Sequence, residues 1–465
     1  MKFPMWTFTY RSSAVPSLAA SWIVWFSTAI FSALSLHALL SLHNVSSRVI
    51  AGMPKPQNLP ATLSRQSMNG GLGLPRTITE MLIAAGVLSL LIWVYLVLAR
   101  GGFWRITPAD PALDVKASAV NIAVIIPARN EADVVGRAIR SLLQQSGHHQ
   151  IHIFLVDDAS TDGTAQAARA AAIAEGQAQN LTVVSGSPLP PGWSGKLWAM
   201  QQGIEQTAKT APDFFLFTDA DIEHAPDSIA TLVSIAQAGP YDMASFMVKL
   251  HCQSVAEKLL IPAFVYFFFK LYPPAWIANP RRSEAGAAGG CILIRPAALE
   301  KAGGIAAIRQ EVIDDCSLAA RVKRNGGRLW LGASATTRSI RPYQGFSGIG
   351  RMISRSAFNQ LRHSNLLLLL SILGMAATYL LPLALVFAAH SIAPAALGGA
   401  AWLLMVLSYF PVLRLYRLNP SWALALPVAA VFYVGATFHS AWKYWTGSGG
   451  EWKGRIQDPK ESPQT

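Results

Sequence analysis

Four groups of acidic side chains recur through the middle of this chain, each closing or opening an apolar run. "FTDADIEHAPDSI" (217–229) sets Asp219 and Asp221 one residue apart at the end of an aromatic segment. At a strand end both carboxylates can face one side of a cavity, where unpaired they repel. A divalent cation removes that cost, and oxygen ligands suit magnesium or manganese; a solvated turn before Pro226 is the plainer alternative. "IHIFLVDDASTDGTAQAARAA" ends a strand on Asp157 and Asp158, and Asp162 then caps the next helix. One cap suffices for a helix, so the other two are surplus to folding and can accept hydrogen bonds from a nucleobase imide or ribose hydroxyls. "IAVIIPARNEADVV" turns through Pro127 and leaves Asn130 and Glu131 at a strand's carboxyl end. A ligand can meet free backbone amides there, or the strand simply becomes a helix. "EVIDDCSLAARVKRNGG" opens an amphipathic helix with Asp314 and Asp315, a position where acidic residues also serve as ordinary caps. In "PLPPGWSGKLWAM", Lys196 fails the phosphate-loop pattern: the glycine spacing is too short, and Leu197 stands where Ser or Thr would bind magnesium. It can reach a diphosphate as a point charge or be a solvated lysine at a helix start. Recurrence of carboxylates at element ends, in a region otherwise poor in charge, favours chemistry over capping.

The elements that must position these residues follow from composition and period. The chain has 465 residues, of which 52% are hydrophobic and only 14% charged, against about 25% charged in ordinary soluble domains. Part of it therefore belongs in a membrane. The net charge of +13 accompanies no basic helix or aromatic RNA-binding pattern, so nucleic acid is not an expected partner; Lys and Arg border apolar segments instead. Cys252, Cys291 and Cys316 are too widely spaced for a disulfide framework or a zinc knuckle. Residues 82–99 are uncharged and long enough to cross about 30 Å of hydrocarbon, and Arg100 and Arg105 follow at once, which places the next region in the cytosol. Short apolar runs at 122–127, 151–156, 181–184 and 214–218 alternate with helical stretches at 131–145, 162–175, 196–208 and 226–238. That alternation predicts an α/β domain with a parallel sheet. Apolar blocks return near 366–389, 395–413 and 422–442. Three full crossings would put the basic tail (Lys443, Lys453, Arg455, Lys460) outside, against the positive-inside rule, so one block is expected to be re-entrant or interfacial.

The expected organisation is an N-terminal extension over 1–80 with one apolar segment, a transmembrane helix over 81–100, a cytosolic domain over 101–364, two or three transmembrane helices over 365–446, and a polar tail over 447–465. The extension carries Arg48, Lys55, Arg65 and Arg76, a poor loop for export. An upstream start-site error, with Met81 as the start, and a genuine extra segment both remain open. "NGGLGLP" (69–75) reads as linker, and "GHHQIH" with His148, His149 and His152 as a solvated loop entering a strand.

The series P-A-R-N-E, V-D-D-A-S-T-D-G-T, T-D-A-D and I-D-D, in this order, resembles the family 2 glycosyltransferases of GT-A fold. "LLIWVYLVLARGGFWR", "GWSGKLWAM" and the terminal "WKGR" are similar, more narrowly, to membrane glycosyltransferases associated with hopanoid biosynthesis. The resemblance implies a GT-A, Rossmann-like nucleotide-diphospho-sugar transferase domain flanked by transmembrane helices. It implies that Asp158 with Asp157 contacts the uridine of a nucleotide-sugar donor, helped by Pro127, Asn130 and Glu131. Asp221 would hold the metal that bridges the diphosphate, Asp219 would lie beside the ribose or metal, and Asp315, second of the acidic pair with Asp314, would be the general base. Gly289 and Gly290 of "GAAGGCILIR" match the loop lining the acceptor side. Processive relatives carry Q-x-x-R-W; here Gln360 and Arg362 of "NQLRHS" are wrongly separated and no Trp follows, which argues against polymer synthesis and leaves both residues without a role.

The expected reaction is a single displacement: Asp315 deprotonates an acceptor hydroxyl as it attacks the anomeric carbon, a Mg2+ or Mn2+ ion neutralises the departing nucleotide, and the configuration inverts. "LLIPAFVYFFFKLYPPAWIANP" (259–280), within the segment 255–280, is broken by Pro262, Pro273 and Pro274 and is expected to lie at the membrane interface with aromatic anchors. An aromatic platform there suggests a lipid hydroxyl as acceptor, and the resemblance points to a hopanoid or other isoprenoid lipid. The expected location is the inner membrane of a bacterial-type cell, multi-pass. The rivals are a non-catalytic nucleotide-binding membrane scaffold and a polysaccharide-synthesising or translocating protein; the latter is disfavoured because the apolar blocks hold almost no interior charge.

Overall fold

The computed structural model describes residues 76–109, 118–447, 451–452 and 455–456. The extension expected over 1–80, apart from its last five residues, and nearly all of the tail over 447–465 lie outside the described residues. Helix α1 (Arg76–Leu98) leads into the strands β1 (Asn121–Ala128), β2 (Gln150–Asp157), β3 (Leu181–Ser185), β4 (Phe214–Thr218), β5 (Ile222–Glu223), β6 (Met243–Lys249), β7 (Cys291–Ile294) and β8 (Leu329–Ser339). Between the strands run α2 (Val135–Leu143), α3 (Thr164–Ala174), α4 (Gly195–Gln206), α5 (Ser228–Ala238), α6 (Val255–Leu271), α7 (Pro274–Ala278), α8 (Pro296–Lys301) and α9 (Asp314–Arg324). After β8 come α10 (Gly345–Ser354), α11 (Ala357–Gln360), α12 (Asn365–Met375), a π-helical turn, α13 (Leu381–Ala388), α14 (Ile392–Leu415) and α15 (Leu426–Trp445).

The eight strands form one sheet in the order β3-β2-β1-β4-β7-β6-β8-β5. β1 and β4 are apolar and buried almost throughout, and β2 is buried over Ile153–Val156, as strands covered on both faces must be. Helices α2, α3 and α5 cover one face over a core that includes Val124, Ile126 and Leu216. The other face, with Ile125 and Phe217, joins a larger core that continues through α4, α6 and α9 into the apolar helices. Helix α4 sits close because Gly203 lacks a side chain: a Cβ there would come within 2.6 Å of Ile125 Cγ2.

The parallel sheet expected from the four apolar runs is present, and further strands that those runs did not include extend it. β3, β2, β1 and β4 are mutually parallel, but β7 runs antiparallel to both β4 and β6. The reason lies in the path between β6 and β7. The chain leaves β6 at the carboxyl end of the sheet, builds α6 and α7 there, and re-enters from that same end. The loop "GAAGG" before β7 is thus delivered to the carboxyl ends of β1 and β4. β8 is parallel to β6, so Ser339 and the residues after it also emerge at this end.

Segment 255–280 becomes α6 and α7. A capping box, with Ser254 Oγ accepting from Glu257 N–H and the Glu257 carboxylate accepting from Ser254 N–H, starts α6. Most of its side chains are covered by protein. The Tyr266 hydroxyl bonds Ser408 of α14 at 2.6 Å, Tyr433 of α15 donates to Leu260 O, and Lys270 donates to the Tyr379 hydroxyl. Among the described residues four helical stretches are long and apolar enough to cross a membrane: Thr77–Leu98, Asn365–Ala388, Ile392–Leu415 and Pro420–Trp445.

Candidate active site

Lys196 is the centre of the site. It lies in the first turn of α4, where Ser194 caps the helix by accepting from Leu197 N–H. A cation at a helix N-terminus opposes the macrodipole, so its place needs another cause. Its Nζ stands 3.0 Å from Asp219 Oδ1 and 3.2 Å from Asp314 Oδ2. Burial alone would lower this ammonium, but the two carboxylates outweigh it and raise it well above the usual lysine range. One side chain thus draws the end of β4 and the start of α9 to the same point. With Pro127, Glu131 and Asp221 these three residues line a cleft of about 220 Å³ at the carboxyl ends of the strands.

Asp315 sits beside this cleft and turns towards the glycine loop. Its Oδ2 accepts from Gly289 N–H at 2.7 Å and its Oδ1 from Cys316 N–H at 2.7 Å. Gly289 makes this approach possible, since a Cβ would stand 3.2 Å from Asp315 Oδ2. Burial, then the Asp314 carboxylate, pushes the Asp315 carboxyl up to about 6, with Lys196 and the two backbone amides opposing. Gly290 plays a different part: its carbonyl accepts from the Thr218 hydroxyl at 2.8 Å, which locks the loop to the end of β4.

Asp219 and Asp221 face the cleft together, as their spacing suggests. Asp221 Oδ2 accepts from the Ser339 hydroxyl at 2.7 Å. Burial, then the neighbouring Asp219 carboxylate, raises Asp221, which is the mark of like charges held close. A hard divalent cation fits that need. Among the described residues no cluster of three His, Cys, Asp or Glu side chains forms a metal cage. Two carboxylates facing one cleft are hard oxygen donors of the kind magnesium or manganese accept.

The residues after β1 and β2 form a second group. Asp158 is buried and lies 3.5 Å from the Arg129 guanidinium, which also donates to its carbonyl. Asp157 Oδ1 accepts from Ser160 N–H, and Asn130, in the left-handed region at φ 52°, accepts from Thr161 N–H. Asp162 accepts from Thr164 N–H and Ala132 N–H. These contacts bind the two loops to each other. Asp157, Asp158 and Asn130 are not among the residues lining the cleft; of this group Pro127 and Glu131 are.

Residues 123–303 match the family described as Glycosyl transferase family 2. The segment 123–303 is a family 2 glycosyltransferase domain. The chain is 34% identical over 113 residues to the 4,4'-diaponeurosporenoate glycosyltransferase of Staphylococcus haemolyticus (strain JCSC1435), which covers 23% of this chain and 27% of that protein. It is 31% identical over 116 residues to the protein of the same name from Staphylococcus aureus (strain bovine RF122 / ET3-1), covering 24% and 28%. The match thus spans little more than a quarter of these relatives' length. Among solved structures, the mannosyltransferase PcManGT from Pyrobaculum calidifontis in complex with GDP-Man and Mn2+ is 20% identical, at a TM-score of 0.46 over 76% of this chain and 98% of that one.

The cleft is also lined by residues that the sequence motifs do not include. Arg341 and Arg355 line the cleft beside Glu311, and Arg341 pairs with Glu131 and with Asp133. Both arginines follow the last strand and belong to no motif; only the fold brings them back. His224, three residues past Asp221, is buried between Thr218 and Ser228. Burial lowers it to about 4, so it is a neutral strut. Gln360, left without a role above, donates to the Tyr272 hydroxyl at 2.9 Å, and Tyr272 in turn meets the thiol of Cys316, next to Asp315. His152 lies in β2 and bonds Thr182 rather than standing in a solvated loop.

Proposed function

We propose that this protein is a membrane-bound, inverting glycosyltransferase that moves a sugar from a nucleotide-diphosphate donor, a UDP-sugar, to a lipid hydroxyl. The observation that carries the reading is the Lys196 bridge: Asp219 and Asp314, 95 positions apart in sequence, meet one ammonium in one cleft with Asp221 beside them. In this reading Asp158 and Asp157, with Asn130, Glu131 and Pro127, receive the nucleoside. Lys196, Arg341 and Arg355 offer positive charge to the diphosphate, and Asp219 and Asp221 hold the magnesium or manganese ion. When bound, that ion neutralises charge on the departing diphosphate. Asp315, held in place by the Gly289 and Cys316 amides, takes the proton from the acceptor hydroxyl as it attacks; Asp314 keeps Lys196 at the cleft. Gly289 and Gly290 line the acceptor side.

For the acceptor we propose a hopanoid or other isoprenoid lipid. Support comes from the four apolar helices and from relatives whose name specifies 4,4'-diaponeurosporenoate, an isoprenoid acid. That name also raises a carboxylate as the accepting group. A carboxylate acceptor is already deprotonated and would not need Asp315, which separates the two chemistries. Arg100 and Arg105 after α1 favour the domain lying on the cytosolic face of a bacterial-type inner membrane.

The test is incubation of membranes containing the protein with labelled UDP- and GDP-sugars, with and without Mg2+ or Mn2+, followed by mass spectrometry of the lipids. A metal-dependent, sugar-bearing lipid is expected. Donor binding without any transfer, from every donor and lipid extract tried, would instead support a scaffold.

A further inference from the structure

Helix α15 has the length and composition of a membrane span, yet its neighbours are the wrong ones. Helices α1, α13 and α14 pack on one another: Gly86 meets Leu397, Gly398 lies against Leu385 and the carbonyl of Pro382, and Phe387 meets Trp402 edge to face. Helix α15 packs chiefly on α10, α11 and α6 of the domain side, and also touches α12 and the π-helical turn after it. Its start adjoins the turn after α14, where the Tyr416 hydroxyl accepts from Leu250 N–H just past β6. Its middle touches the domain through Phe432 on Phe346 and through the Tyr433 bond to Leu260. Its last turns return to the segment before α12: Ser440 accepts from Phe358 N–H, and Tyr444 stacks on His363 at 4.0 Å. Both ends therefore lie at the domain side of the apolar bundle, and about 30 Å of helix runs between them without leaving it.

The side chains of α15 divide accordingly. Leu426, Ala429, Ala430, Tyr433, Ala436 and Ala441 are buried against protein. Val428, Val431, Phe438, Trp442 and Trp445 are exposed, at spacings of three, four or seven that place them on the opposite face. We infer that α15 lies in the plane of the membrane on the domain-side leaflet, with this stripe as its lipid-contacting face. The occupant is a lipid surface because the stripe ends in two tryptophans, the residues that anchor at a bilayer interface, with Lys443 between them, and because the stripe lies at the end of a bundle that is itself apolar. Among the described residues three crossings then remain (α1, α12 with α13, and α14). Arg414 and Arg417 after α14 and Lys443 in α15 then fall on the side of Arg100 and Arg105, which removes the conflict with the positive-inside rule over the described residues. The inference depends on membrane residence but not on any catalytic role of the cleft.

Single-cysteine variants of the full chain test it. On intact cells, a membrane-impermeant maleimide should label Ser391→Cys, between α13 and α14, and should label Thr446→Cys only after permeabilisation. Labelling of Thr446→Cys from outside would overturn the inference. Nitroxides at positions 428, 431, 438 and 442 in reconstituted protein give a second measurement that does not rest on one variant. Uniform depth, read from the ratio of oxygen to aqueous nickel-chelate relaxation, is expected; a depth maximum midway along the helix would mean a span. Dipolar broadening between nitroxides on separate chains would mean a second copy covers the stripe, and would likewise overturn the inference.

Discussion

Asp315 is held by two backbone amides and pressed by Asp314, and each arrangement has a measurable consequence. Asp315→Asn should lower turnover by about 10²–10⁴-fold, the usual weight of general base catalysis, while donor affinity measured by calorimetry stays within about twofold. A carboxylate acceptor would leave turnover nearly intact in this variant. The competent form of Asp315 is ionised, and its carboxyl is pushed up to about 6. Activity should therefore rise with pH through about 6 rather than through the ordinary carboxylate range. Asp314→Asn removes a like charge, so the acidic limb of its rate profile should move to lower pH even as its loosened hold on Lys196 weakens donor binding. A limb that stays in place would exclude Asp314 as the cause.

At the scale of elements, two joints decide whether the cleft forms. Helix α4 rests on β1 and β2 at Gly203, where a Cβ would meet Ile125 Cγ2 at 2.6 Å and Val156 Cγ2 at 3.2 Å. Gly203→Ala should cost about 1–3 kcal/mol through overpacking, seen as a lower melting temperature, and should displace Lys196 with the helix. The second joint is Glu257 in α6, buried at 1% exposure. Burial would push its carboxyl up, but amides of Tyr343, Ser254 and Gln253, with His251, hold it down to about 2. A depressed carboxylate contributes stability that is present above its ordinary 4.5 and lost as pH falls towards 2. Glu257→Gln should lose about 1–3 kcal/mol at neutral pH and flatten the loss of melting temperature with acid. Since Tyr343 follows Arg341 by two residues, this joint also fixes the arginine side of the cleft.

For the whole molecule, domain and apolar helices share one core. Tyr266 to Ser408, Leu260 to Tyr433 and Lys270 to Tyr379 join α6 to three later helices, and the cluster on that face of the sheet runs without a break into α14 and α15. A chain ending at residue 364 should therefore aggregate rather than yield a soluble enzyme; a monodisperse species on gel filtration that binds donor would contradict this. The same continuity keeps Asp315, through Tyr272 and Gln360, within reach of the helices that meet the lipid.

By itself the sequence determined four of the strands and their acidic ends, because buried strands need unbroken apolar runs and more carboxylates follow them than capping requires. Four of the eight strands, the three helices between them, the helix that follows and the apolar blocks were legible in this way. Tertiary structure alone decided three matters. β7 runs backwards because the chain turns at α6 and α7, and no local pattern encodes that return. Arg341, Arg355 and Ser339 reach the cleft from beyond 110 residues past Asp221, a convergence fixed by sheet order and not by spacing. Helix α15 lies along the domain although its composition would equally suit a crossing: hydropathy measures what a helix can be buried in, whereas packing partners decide where it goes.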